Sequence, residues 1–90
     1  MFEEKGDYLF DNFEKFNEAY EILVVQGESL YSPGYFVKYG VSRQLLYNWS
    51  NRDKKIRRLI FSSEQSNYDR FIFVVESDVM EALKGSRLSK

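Results

Sequence analysis

The chain has no cysteine and no histidine among its ninety residues. The first absence excludes disulfides and thiolate metal sites, and the second excludes imidazole ligands and His-based catalytic triads. No cofactor is expected, and a serine without a visible base is not a nucleophile, so the chain does not read as an enzyme. No apolar run approaches the roughly 20 residues that span a bilayer. The acidic N-terminus lacks a signal-peptide pattern, so a cytoplasmic protein with no membrane partner is expected. Nothing in the pattern calls for a small-molecule ligand.

What is abundant is aromatic: eight Phe, seven Tyr and one Trp. Each ring buries a large area, so even one small domain can build a core from them. The net charge of −1 hides a segregation. Residues 1–31 hold eight acids against two bases, whereas residues 32–61 hold seven bases against one acid. A solvated basic face is the plain reading of such a cluster; a polyanionic partner is the sharper one.

Periodicity sets the expected elements. Residues 1–7 are polar and expected to fray. Leu9, Phe13, Phe16, Tyr20 and Leu23 recur at intervals of three and four, which predicts an acidic amphipathic helix from Tyr8 to about Gln26. ILVV within it also suits a buried strand, but the length of the repeat favours helix. Ser32-Pro33 predicts the N-cap and first residue of a short helix to Tyr39. Gly40 supplies a turn, and Ser42 is the N-cap candidate for a helix to about Ser50. From Lys55 the period changes. IRRLIF and RFIFVV predict a β-hairpin joined by a polar turn at 62–69. Ser77 then caps a last helix, ended by Gly85.

Two short helices around a Gly-Val turn form a helix-turn-helix. Its helices cross steeply, so Phe36, Val41, Leu46 and Trp49 must pack together, with Trp49 in the core. Ser42, Arg43, Gln44, Tyr47, Asn48 and Asn51 are then left facing outward, a set that bonds phosphate oxygens and base edges. Tyr47 suits either a half-buried aromatic or a phosphate donor. Lys54 and Lys55, beyond the helix, are suited to phosphates. Arg57 and Arg58 fall on opposite sides of a strand, so one of them has its stem along the core edge.

The run YSPGYFVKYGVSRQLLYNW, followed by KKIRRLIF, a hairpin and VVESDVMEAL, resembles the winged helix-turn-helix domains of the MerR and excisionase type. The resemblance covers about Leu30 to Leu83. It implies an α+β, mostly α fold: a small winged helix-turn-helix with a two-stranded hairpin wing, here with an extra N-terminal amphipathic helix. It also implies double-stranded DNA as partner, with Ser42, Arg43, Gln44, Tyr47 and Asn48 at the major groove and the wing bases, Arg57 and Arg58 among them, on the backbone. Two features depart from the type: Phe36 stands where a small residue is usual, and the wing tip is acidic at Glu64 and Asp69. The expected organisation is an acidic helix at 1–29, the winged domain at 30–84 and a flexible tail at 85–90, all within one compact domain. The alternative is a protein-interaction module on the same scaffold, docking or forming a homodimer through the N-terminal helix.

Overall fold

Alternation, not helical period, governs the start of the chain. In a computed structural model, which describes residues 1–62 and 70–88, Gly6–Phe10 form strand β1. Tyr8 and Phe10 point to one face of it while Leu9 is exposed on the other. The helix expected from Tyr8 therefore starts later, as α1, Phe13–Val25. Asn12 ends the strand and caps α1, its Oδ1 accepting from the Lys15 N–H at 3.2 Å. Residues 1–7 are correspondingly tied down rather than frayed: Gly6 and Asp7 lie in β1, and the Phe2 carbonyl accepts from Arg57.

Strand β2 is the two-residue segment Leu30–Tyr31. A 3-10 helix, Pro33–Tyr39, follows, ended by Gly40 at φ 77°, the left-handed conformation for which glycine is suited. Helix α2 spans Arg43–Tyr47, with the Ser42 hydroxyl accepting from the Leu45 N–H at 3.1 Å. The expected helix to Ser50 does not continue as α-helix. It widens into a π-helical turn, Asn48–Arg52, closed by Asp53 N–H donating to the Asn48 carbonyl at 2.9 Å.

Strands β3, Arg57–Ser62, and β4, Arg70–Val75, pair antiparallel as the expected hairpin. The acidic tip at Glu64 and Asp69 lies outside the described residues. The hairpin is the middle of a larger sheet, because β1 adds parallel to β3 and β2 antiparallel to β4, giving the order β1-β3-β4-β2. Helix α3, Glu76–Leu88, closes the chain. Ser77 does not cap it, since its hydroxyl donates to Glu28. Gly85 does not stop it, keeping a helical backbone in place of the left-handed turn a stop requires, so the expected tail at 85–90 is helical as far as Leu88.

Side-chain alternation gives the sheet two apolar faces, and each acquires a helical layer. Phe16, Ala19 and Leu23 of α1 pack with Leu30, Leu59 and Val75 on one side. Phe36, Val41, Leu46, Trp49 and Val79 pack with Ile56 and Val74 on the other. The result is a small α+β fold with a mixed sheet between two layers. Residues 1–29 contribute a strand and a helix to the same body as the rest. No helix among the described residues is long and apolar enough to cross a membrane.

Candidate nucleic-acid interface

The inner side of the helical pair is as the spacing requires. Phe36, Val41 and Leu46 are fully buried and Trp49 is 5% exposed, all in one cluster. Phe36 is accommodated there without a small residue in its place, its ring meeting Tyr31 and Tyr35 edge-on at 6.5 and 5.2 Å. Because 3.6 residues make a turn, fixing Leu46 and Trp49 inward takes Leu45 and Ser50 partly or wholly in with them and turns the side chains across the helix outward. Ser42, Arg43, Gln44, Tyr47 and Asn51 are exposed and Asn48 is half-buried.

These side chains are partly pre-arranged. The Gln44 amide donates to Asn48 Oδ1 at 3.3 Å, one helical turn on, so the two amides form a linked row. Ser42 already uses its hydroxyl as a cap. Arg43 borders a cleft of about 210 Å³ together with Ser32, Pro33 and residues 71–73 of β4, which sets the start of α2 beside the hairpin. The Arg58 guanidinium lies 5.6 Å from the Tyr47 ring, so Tyr47 is a supported aromatic with one face in solvent.

Two of the expected phosphate contacts need correction. Arg57 and Arg58 are both buried, and both are ion-paired inside the fold. Arg58 Nε and Nη2 donate to the two oxygens of Asp7 at 2.7 and 2.8 Å, a bidentate fork between register neighbours on β3 and β1. Arg57 donates from Nε and Nη2 to Asp78 at 2.7 and 3.1 Å, and from Nη2 to Glu28 at 2.9 Å. A strand flanked on both faces by helical layers has no solvent side for a guanidinium, so both arginines are held by internal carboxylates. Lys54 and Lys55 remain exposed, as do Lys38 and Arg52.

Asp7 is the residue that sequence reasoning missed. Besides Arg58 it accepts from the Ser50 hydroxyl, and from the Asn51 amide at 3.3 Å. It thereby ties β1 to the π-helical turn at the end of α2. Asn51 is consequently a shared residue, exposed yet anchored. Burial disfavours the Asp7 carboxylate, but the Arg58 and Ser50 hydrogen bonds outweigh it and hold the pKa below the usual value. Asp78 follows the same logic, burial being overcome by Arg57 and Lys5. The short run Tyr8-Leu9-Phe10, bounded by Gly6-Asp7 and Asp11-Asn12, was the available signal for a strand.

The arrangement can present amides, a guanidinium and a phenol from one short rigid helix, flanked by cations. Comparison with protein-family models, with curated proteins and with solved structures finds no match for this chain.

Proposed function

We propose that the chain is a small sequence-specific DNA-binding protein of the cytoplasm, acting as a transcription regulator or an excisionase-like recombination directionality factor. The 3-10 helix and α2 serve as its helix-turn-helix, α2 with the π-helical turn as the major-groove reader, and the β3–β4 hairpin as its wing. The observation that carries this reading is the two-sidedness of α2 and the π-helical turn that continues it. Leu46 and Trp49 are locked into the core while Arg43, Gln44, Tyr47 and Asn51 face solvent, with Asn48 half-buried between them. Such a helix offers donors and acceptors for base edges without any cost to the core.

The experiment is a titration of duplex DNA at several salt concentrations. Of the seven bases in residues 32–61, two are buried in ion pairs, which leaves Lys38, Arg43, Arg52, Lys54 and Lys55 exposed. Neutralising one phosphate contributes a log–log slope of about −0.9, so these five side chains contribute at most about −4.5. A slope near zero, or no binding to any duplex, removes the reading.

A second reading has its own observation. Phe13 is 55% and Phe71 is 49% exposed, and with Phe16, Tyr20 and Phe73 they border an apolar hollow of about 280 Å³ on the α1 side. A protein-interaction module would dock or form a homodimer there. Most of the α1 stripe is already used within the chain, since Phe16, Ala19 and Leu23 are buried. Sedimentation over a hundredfold concentration range separates a monomer from a dimer.

A further inference from the structure

Three locally unfavourable backbone choices converge on one spot away from α2. Lys54 sits at φ 54°, a left-handed conformation that penalises every residue with a Cβ and that glycine or asparagine adopts more readily. Gly6 is buried at φ 132°, and a Cβ placed on it would lie 3.4 Å from Lys54 Cδ and 3.7 Å from Lys54 Nζ. The Lys54 side chain therefore passes along the bare Gly6 backbone while staying exposed. Gly85 stands inside α3, where glycine weakens a helix, and a Cβ there would meet nothing within 4 Å. Lys54 and Gly85 border a depression of about 400 Å³, together with Lys5, Lys55, Asp78 and Glu81, and Gly6 adjoins it through the Lys54 side chain. Departures from local preference that coincide in space mark sites held for function.

The chemistry of the depression is cationic. Lys5 donates to Asp78 Oδ1 at 2.5 Å, and Arg57 engages both Asp78 oxygens, so the Asp78 charge is answered from within the fold. An ammonium has three donors, and Lys5 gives one of them to Asp78. Lys54 and Lys55 are exposed, and Glu81 is the remaining acid in the lining. We propose that Lys5, Lys54 and Lys55 form a phosphate-binding site which, on the DNA-binding reading above, grips a backbone phosphodiester flanking the segment that α2 reads. Lys5 thereby becomes a DNA contact contributed by the N-terminal segment. The left-handed Lys54 backbone is retained because it aims the ammonium into the depression.

The test uses the full chain with Lys5→Gln, Lys54→Asn and, as control on the opposite layer, Lys15→Gln. Random duplex is titrated against salt, and inorganic pyrophosphate is titrated separately while amide NMR shifts are followed. Lys5→Gln and Lys54→Asn are each expected to lower the magnitude of the salt slope by about 0.9, with Lys15→Gln unchanged. Pyrophosphate is expected to shift the amides of Gly6, Lys54, Lys55 and Gly85 in the parent protein and not in those two variants. Lys54→Asn is expected to melt at or above the parent temperature, because asparagine tolerates the left-handed backbone. Duplex binding with parental slopes in both lysine variants overturns the site and leaves the DNA reading standing. No duplex binding by the parent, with pyrophosphate shifts that the variants abolish, keeps a phosphate site and removes the DNA reading. A Lys54→Asn protein that melts several degrees lower overturns the functional account of the strained backbone.

Discussion

On one side of the sheet α1 seals its core with rings. Phe16 meets Phe10, Phe13, Phe61 and Phe73 at 5.8–6.1 Å between centroids. On the other side the helical pair seals a core of Phe36, Val41, Leu46 and Trp49 against Ile56 and Val74. The outer surfaces differ more than the inner ones. Asp11, Glu14, Glu18 and Glu21 face solvent around α1, whereas α2 shows amides, a phenol and a guanidinium. Between the layers the two charge populations meet, Asp7 on Arg58, and Asp78 and Glu28 on Arg57. The charge segregation of the sequence thus divides in three dimensions. Part of it is neutralised inside the fold, and only what remains outside is available to a partner.

The strongest way to break this comparison is to truncate one ring on each side. Trp49→Ala should cost about 3–5 kcal/mol of stability, enough to threaten folding of so small a domain. Phe13→Ala, on a half-exposed ring stacked on Phe16 at 6.1 Å, should cost about 1 kcal/mol. Urea denaturation measures both. Equal losses would mean that the two layers are not sealed as described. Next in size is Asp78→Ala, expected to cost about 3 kcal/mol because it leaves Arg57 buried with Glu28 as its remaining acid.

Asp7→Asn sharpens the same point through pH. At neutral pH it should cost roughly 1.5–3 kcal/mol, the range for hydrogen bonds to a charged group. The Asp7 pKa is depressed in the folded state, so its contribution is fully present above the unfolded value of about 3.9. It is lost as pH falls through the lower folded value. The gap between parent and variant should therefore close below about pH 4. A gap that stays constant down to pH 2 would show that the Asp7 charge carries no stability.

Much of the second layer was legible because its constraints are local. Gly40, Val41, Leu46 and Trp49 lie within ten positions of one another, and the turn dictates which of them point inward. The hairpin was legible from composition. The first strand was not, because Leu9 happens to stand four residues before Phe13 and so extended a helical period that truly begins at Asn12. The buried arginines were not legible either, since the partner that decides the fate of Arg58 is 51 positions away in a strand that went unrecognised. Once β1 is taken for helix, Asp7 becomes a frayed acid and Arg58 a free cation; Arg57 was missed separately, because its partners Asp78 and Glu28 lie 21 and 29 positions away. The π-helical turn carries no sequence pattern that separates it from the end of an ordinary helix.

The smallest expected effects concern binding, and they separate reader from anchor. Gln44 stands in the first turn of α2, exposed and hydrogen-bonded to Asn48. Its amide can bond adenine at N6 and N7. Gln44→Ala should therefore cost about 1–3 kcal/mol on a selected site and relax the preference over a scrambled control. Lys55 lies beyond the π-helical turn, where its backbone N–H donates to the Trp49 carbonyl at 2.7 Å and fixes the chain as it leaves the helical layer. A flexible ammonium there meets phosphates without discriminating bases. Lys55→Ala should weaken both duplexes alike and reduce the salt slope by about one. Glu18→Gln on the opposite layer should change neither. If Gln44→Ala weakens the two duplexes equally while Lys55→Ala alters the preference, the base reader lies on the chain after the helix, and α2 serves only to position it.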